Sequence, residues 1–139
     1  IASSLIGFLI VEDIDGDGRH ELVTGEAFGF QIRVFEQTTG FEFSPLPTPL
    51  GDASMLLFPT SAVSVDVDHD SDRDLVVSNA FGLTVFFQLA PGHFDPEPLL
   101  IPTGTSYLRA LLAADLDADG DDDIVGASPD DLRIRWGGK

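Results

Sequence analysis

Cysteine is absent from the 139 residues, which excludes a disulfide framework, a thiolate nucleophile and a zinc–thiolate site. Basic side chains are scarce: seven Lys and Arg stand against 24 Asp and Glu, a formal charge of −17 that excludes nucleic acid and anionic membrane as partners. Long apolar runs are missing as well. The most compact one, Leu5-Ile6-Gly7-Phe8-Leu9-Ile10-Val11, has no basic flank and falls far short of the ~20 residues that span a bilayer. No methionine opens the chain, and Ile1 reads as an internal residue, so a processed protein or an excerpt is expected. What is present, 43% hydrophobic and 22% charged residues, suits one globular domain over 1–139 and not a disordered tail.

The acids are not spread evenly. Three segments repeat: Asp13-Ile14-Asp15-Gly16-Asp17-Gly18-Arg19-His20-Glu21, then Asp66-Val67-Asp68-His69-Asp70-Ser71-Asp72-Arg73-Asp74, then Asp115-Leu116-Asp117-Ala118-Asp119-Gly120-Asp121-Asp122-Asp123. Their starts lie 53 and then 49 residues apart, a period typical of propeller blades and too long for ankyrin or tetratricopeptide units. The units are expected at about 1–53, 54–102 and 103–139. With the loops superposed, Phe30-Gln31-Ile32-Arg33-Val34 falls on Leu83-Thr84-Val85-Phe86-Phe87 and on Leu132-Arg133-Ile134-Arg135-Trp136. Ala27-Phe28-Gly29 falls on Ala80-Phe81-Gly82, and Phe41 on Phe94. The difference in period lies after Phe41, between Ser44 and Asp52, where a connection between blades can absorb it.

Each unit reads as strands. Phe8 to Val11, Ala62 to Val65 and Ala110 to Ala113 precede the acidic loops; Glu21 to Thr24, Asp74 to Ser78 and Asp123 to Ala127 follow them, rich in Val and Ile. A third strand alternates, with Leu83, Val85 and Phe87 on one side and Leu132, Ile134 and Trp136 likewise. A fourth, around Glu42 to Leu46 and Asp95 to Leu100, carries prolines and is therefore expected at a sheet edge. The expected fold is all-β, with propeller blades of four antiparallel strands; about two and three-quarter blades are present. Because propellers close with about four to eight blades, further blades must come from missing sequence or from self-association, or the ring stays open.

The loop spacing explains why the acids cluster. Carboxylates at positions 1, 3, 5 and 9, with a sharp turn near position 6 and a backbone carbonyl from position 7, surround one point with oxygen. That describes Asp13, Asp15, Asp17, Arg19 (carbonyl) and Glu21; Asp66, Asp68, Asp70, Asp72 (carbonyl) and Asp74; and Asp115, Asp117, Asp119, Asp121 (carbonyl) and Asp123. Six to eight oxygens at ~2.3–2.6 Å are what Ca2+ requires, so up to three calcium ions, one per loop, are expected. Carboxylates held ~5 Å apart without a cation repel by ~3 kcal/mol per pair at an effective dielectric near 20. An EF-hand needs a bidentate Glu at position 12, where Thr24, Val77 and Gly126 stand instead. Magnesium prefers fewer carboxylates and more water, and transition metals lack nitrogen or sulfur ligands in this motif. Ser71 replaces the turn glycine in the second loop. A solvated Asp/Gly-rich turn would explain one such loop, but not three in register.

These residues resemble FG-GAP or VCBS-type repeats, the calcium-loop blades of integrin-alpha-like β-propellers. The features that carry the likeness are the three acidic loops, each followed by Leu22-Val23, Leu75-Val76 or Ile124-Val125, and the Phe28-Gly29 and Phe81-Gly82 pairs. Asp130-Asp131 replaces Phe-Gly in the third unit, and no Gly-Ala-Pro element is evident, so the match is to the bacterial-style repeat more than to the integrin form. The resemblance implies a calcium-stabilised propeller in a secreted or cell-surface protein, with an adhesion or carbohydrate-binding role. Because weak sites of ~10⁻⁴–10⁻³ M fill only where the surroundings supply calcium, a secreted, surface or periplasmic location is expected.

The other candidate residues carry no catalytic pattern. His20 and His69 lie inside acidic loops and His93 in a turn, and each reads as a solvated loop histidine. The four carboxylate positions of the three loops already account for half of the 24 acids. Glu26, Glu36, Asp52, Asp95, Asp130 and Asp131 show no spacing of a glycosidase pair. Trp136 falls on Phe87 and Val34, and Tyr107 on Phe58 and Leu5, so both read as core and not as sugar platforms. Arg33, Arg109, Arg133 and Arg135 form no basic stripe and read as local charge balance. The function expected is a non-enzymatic calcium-binding segment with a protein or glycan ligand. A lectin propeller, or part of a polysaccharide lyase or hydrolase, are the alternatives.

Overall fold

The computed structural model describes residues 5–104, 108–130 and the strand backbone at 132–135. These residues form no helix and build three successive antiparallel sheets. The first is a meander of β1 (Ile6–Glu12), β2 (Glu21–Glu26), β3 (Ile32–Gln37) and β4 (Phe43–Pro45). The second contains β5 (Ser61–Val65), β6 (Asp74–Asn79) and β7 (Gly82–Phe86). After a small hairpin of β8 (Gln88–Ala90) and β9 (His93–Phe94), β10 (Leu99–Ile101) completes its edge. The third holds β11 (Ala110–Ala114), β12 (Asp123–Ala127) and β13 (Leu132–Arg135). β5 packs beside both β1 and β11, so the first strands adjoin at an inner line and the fourth strands lie at the opposite edges. This is the blade arrangement of a propeller, and the three sheets follow one another without closing a ring.

The core is a pair of interfaces between sheets. Val23, Ile32 and Val34 of the first sheet meet Ala62, Leu75, Val77 and Phe86 of the second, with Leu56 of the connection between them. On the other side Val63, Val65, Val76, Leu83 and Val85 meet Leu108 and Ile124. The second sheet is therefore covered on both faces, and every residue of β6 and β7 is buried. β2, the equivalent of β6 in an end sheet, instead alternates between buried and half-buried positions.

This double cover changes how the third strand is read. Leu83 and Val85 face the third sheet as the alternation implies, but Thr84 and Phe86 between them are equally buried, against the first sheet. Thr84 tolerates this because its hydroxyl donates to the Met55 carbonyl at 2.8 Å and accepts from the Asn79 amide at 3.0 Å.

The strand pairing also corrects the internal superposition. Val23 pairs with Val34, and Val76 with Val85, so the partner of Val34 in the second unit is Val85 and not Phe87. The cause is the turn: β6 and β7 are joined by the two residues Ala80 and Phe81, whereas β2 and β3 are joined by a longer loop in which Phe30 takes a positive φ of 55°. A slip of two residues keeps every side chain on its original face, and for that reason the pattern alone did not expose it.

Two core expectations fail. Leu5 is 64% exposed and Phe58 is 42% exposed, because both precede their blades; Phe58 instead packs edge-to-face on Phe28 and Phe30, with ring centroids 5.8 and 6.4 Å away. Tyr107, Asp131, Trp136 and the side chains of Arg133 and Arg135 lie outside the described residues. The fourth strands are shorter than expected, and the β8–β9 hairpin has no counterpart in the sequence reading.

Leu22 and Leu75 occupy the same strand position, yet Leu75 is fully buried between two sheets while Leu22 faces outward from the first. Urea denaturation of Leu75→Ala is expected to show a loss of about 2–5 kcal/mol. Leu22→Ala is expected to lose less than half as much, and equal losses would contradict the sandwiched position of the second sheet.

Candidate metal-binding loops

Each acidic segment is the turn between the first and second strands of its sheet, so all three leave the sheets at the same end. The loops are built from their last acid. Glu21, Asp74 and Asp123 are buried at the start of the second strand, where each accepts the backbone N–H of position 2. Ile14 N donates to Glu21 Oε2 at 2.8 Å, Val67 N to Asp74 Oδ2 at 2.8 Å, and Leu116 N to Asp123 Oδ2 at 3.0 Å. A carboxylate so placed ties the two ends of the loop together.

The first acid organises the interior. Asp13 accepts N–H bonds from Gly16 at 2.8 Å and Gly18 at 3.0 Å; Asp66 accepts from Asp70 at 3.2 Å and Ser71 at 3.0 Å; Asp115 accepts from Gly120 at 3.1 Å. To aim these N–H groups inward, the chain enters the left-handed region twice per loop. It does so at Gly16 and Gly18, at His69 and Ser71, and at Ala118 and Gly120, with φ between 64° and 99°. Sequence reasoning found the second of these turns and missed the first, at position 4, for which Gly16 was the available signal. Glycine adopts such a φ freely, whereas His69 and Ala118 hold it at a cost of roughly 1 kcal/mol each.

The result is a set of oxygen clusters. Asp13, Asp15 and Asp17 bring carboxylate oxygens within 4.8 Å of one another, as do Asp66, Asp68 and Asp70, and as do Asp115, Asp117 and Asp123. Glu21 and Asp74 stand outside the triplets of their own loops, and in the third loop Asp123 takes the place that position 5 holds elsewhere. Asp119 accepts the Asp121 N–H at 2.9 Å. Arg19 brings a side chain as well as a carbonyl: its guanidinium contacts Asp17 at 2.8–2.9 Å and holds that carboxyl below its ordinary range. Asp72 donates its N–H to Asp70 at 2.9 Å.

Electrostatics mark the clusters as crowded. Burial raises Glu21, and burial with the charges of Asp70 and Asp66 raises Asp68. At Asp117 the Asp119 N–H pulls downward, but burial and the charges of Asp119, Asp123 and Asp115 outweigh it. Asp74 is pushed up to about 6, chiefly by burial, although N–H bonds from Gln88 and Val67 act against the rise. Oxygen-only acid triplets of this kind can hold a metal ion.

Neighbouring loops touch. His69 Nδ1 lies 3.4 Å from Asp121 Oδ1 of the third loop, yet His69 stays exposed, as do His20 and His93, so all three are solvated loop histidines as expected. Arg73 reaches Glu12 at 3.9 Å between the first two units, and Arg33 pairs with Glu26 at 2.8 Å.

No curated protein matches the chain. The family model of the FG-GAP-like repeat matches residues 66–126, from the first acid of the second loop through β12 behind the third. Residues 66–126 are thus similar to an FG-GAP-like repeat, and two of the three acidic loops described above lie within the match.

Proposed function

We propose that this is a calcium-binding, non-catalytic propeller module that serves as an interaction segment of an extracellular or cell-surface protein. The observation that carries the reading is the threefold recurrence of one loop, with a buried closing acid, inward N–H groups and an oxygen-only triplet at the same place in each sheet. Asp13, Asp15 and Asp17, then Asp66, Asp68 and Asp70, then Asp115, Asp117 and Asp123 would hold the ions, aided by the carbonyls of Arg19, Asp72 and Asp121 and by Asp119. Hard oxygen ligands of this number suit calcium. FG-GAP-like repeats typically occur in extracellular or surface proteins, where calcium reaches the ~10⁻⁴–10⁻³ M range over which weak extracellular sites fill. No described helix is long and apolar enough to cross a membrane. A protein ligand bound through the propeller surface is the adhesion-type role that follows, with a glycan as the other candidate partner.

Thermal unfolding tests the metal. Saturating calcium is expected to raise the midpoint over metal-free protein, through a stabilisation of about 1–3 kcal/mol per site at ten to a hundred times the dissociation constant. Asp15→Asn and Asp117→Asn should each remove one site from an isothermal titration and leave the rest near their original affinity. Coincident melting curves with and without calcium would sink the reading.

Acidity separates the two states. Because folding raises Asp74 from its ordinary 3.8 to about 6, the folded metal-free protein binds that proton more tightly than the unfolded chain does. Its stability should therefore rise as pH falls from 7 through 6 toward 4. Calcium requires the ionised loop, so the calcium-induced gain in midpoint should shrink over the same interval. A gain independent of pH between 7 and 5 would contradict the coupling of Asp74, which lies beside the triplet, to calcium held by Asp66, Asp68 and Asp70.

A further inference from the structure

Away from the loops, a cleft of about 660 Å³ opens between the first sheet and the β8–β9 hairpin of the second, within the size range of small-ligand sites. Its floor is apolar, made by Leu46, Met55, Phe86 and Phe94. Three carboxylates line it, Glu36, Asp52 and Asp95, and among the described residues no lysine or arginine does. Pro47, Pro49 and Pro96 form part of the wall; they contribute carbonyl oxygens but no N–H, and their fixed φ keeps the wall stiff. Apart from the side chains of Thr48 and His93, the lining is therefore rich in acceptors and poor in donors.

Glu36 decides the chemistry. It follows Ile32 and Val34 on the face of β3 that packs on the second sheet, so its carboxylate points where the apolar interface ends and the cleft begins. A Cβ built on Gly92 would stand 3.3 Å from Glu36 Oε1, which places this oxygen directly across from the β8–β9 turn. Asp52 is occupied by Ser54, whose N–H and hydroxyl donate to it at 2.8 and 2.6 Å, and Asp95 accepts the Glu97 N–H at 2.9 Å. Glu36 is half-buried and has no hydrogen-bond or ion-pair partner among the described residues. A ligand that fills this cleft must bring donors and positive charge to Glu36 and an apolar body to the floor.

We infer that the cleft between the first sheet and the β8–β9 hairpin is a binding site for an amphiphilic organic cation, a compact apolar group carrying an ammonium, with Glu36 as its anchor. The site is separate from the acidic loops and does not depend on their binding calcium.

Met55 is the chain's one methionine and lies on the floor, so protein labelled at the methionine methyl carbon gives a single nuclear magnetic resonance reporter of occupancy. Three probes of matched shape separate charge from greasiness: phenethylammonium, phenethyl alcohol and hydrocinnamate, each titrated in calcium-containing buffer. Phenethylammonium is expected to move the Met55 signal saturably, at concentrations roughly tenfold below the alcohol, as one charge-assisted hydrogen bond would provide, with hydrocinnamate weakest. Glu36→Gln should bring the ammonium down to the level of the alcohol, whereas general attraction to an acidic protein would survive the loss of one charge. Asp95→Asn, on the side supplied by the second sheet, should reduce the preference by less. The inference is overturned if no probe moves Met55, if ammonium and alcohol titrate alike, or if the preference persists in a natively folded Glu36→Gln protein.

Discussion

A carboxylate buried at the foot of each loop, Glu21, Asp74 or Asp123, joins the apolar part of this molecule to its acidic part. Burying an acid is unfavourable unless N–H groups receive it. Here the N–H of position 2 does so in all three loops, and that single bond fixes where the loop starts, hence where positions 1, 3 and 5 fall. Asp74 carries the idea furthest, because its second oxygen accepts Gln88 N at 2.8 Å. Gln88 is itself buried and spends its side chain on the carbonyls of Ile14 and Arg73 and on the N–H of Gly92. One acid thereby ties together the second loop, the root of the first, and the hairpin that borders the cleft. Polar groups this interdependent specify an arrangement more sharply than apolar contacts do.

The same logic accounts for the distribution of charge. Half of the acids sit at the loop positions, where backbone N–H groups and neighbouring carboxylates hold them in place. They are crowded enough that burial and mutual repulsion raise several of them above the usual carboxylate range. Such an arrangement is stable to the extent that protons or cations relieve it. The acids of the cleft are of a different kind: each approaches an apolar floor from a different segment, and their effect is to favour a positive partner in a donor-poor space.

What could be read from the residues followed from strict periodicities. The loop spacing and the strands on either side appeared at their expected places, because acid turns and β-branched runs act locally; the fourth strands took the expected edges but were shorter, and in the second unit the strand begins only after Pro98. The failures arose where the information is not local. The longer turn before β3 displaced the superposition by two residues without altering a single face, so no pattern could reveal it. Leu5 and Phe58 are apolar yet exposed, because they lie where chain enters a blade and not within it. The contact of His69 with Asp121 joins residues from different units, and the cleft joins β3 with a hairpin that, among the described residues, belongs to the second unit.

The burial of the middle sheet shows how the repeat is meant to stack. Leu75 and Phe86 receive the first sheet; their equivalents in the first sheet, Leu22 and Phe35, are also apolar, with Val11 beside them, and are left only partly covered. Val63 and Val76 receive the third sheet; their equivalents there, Leu112 and Val125, are likewise apolar, and Leu112 is 62% exposed. Each sheet thus keeps one face suited to the sheet before it and one suited to the sheet after it, whether or not a described neighbour occupies that side. Stability in such an array is approximately a sum of units and of nearest-neighbour interfaces. The second unit contributes to both interfaces described here, and this is why its strands lost the polar alternation that a half-exposed blade retains.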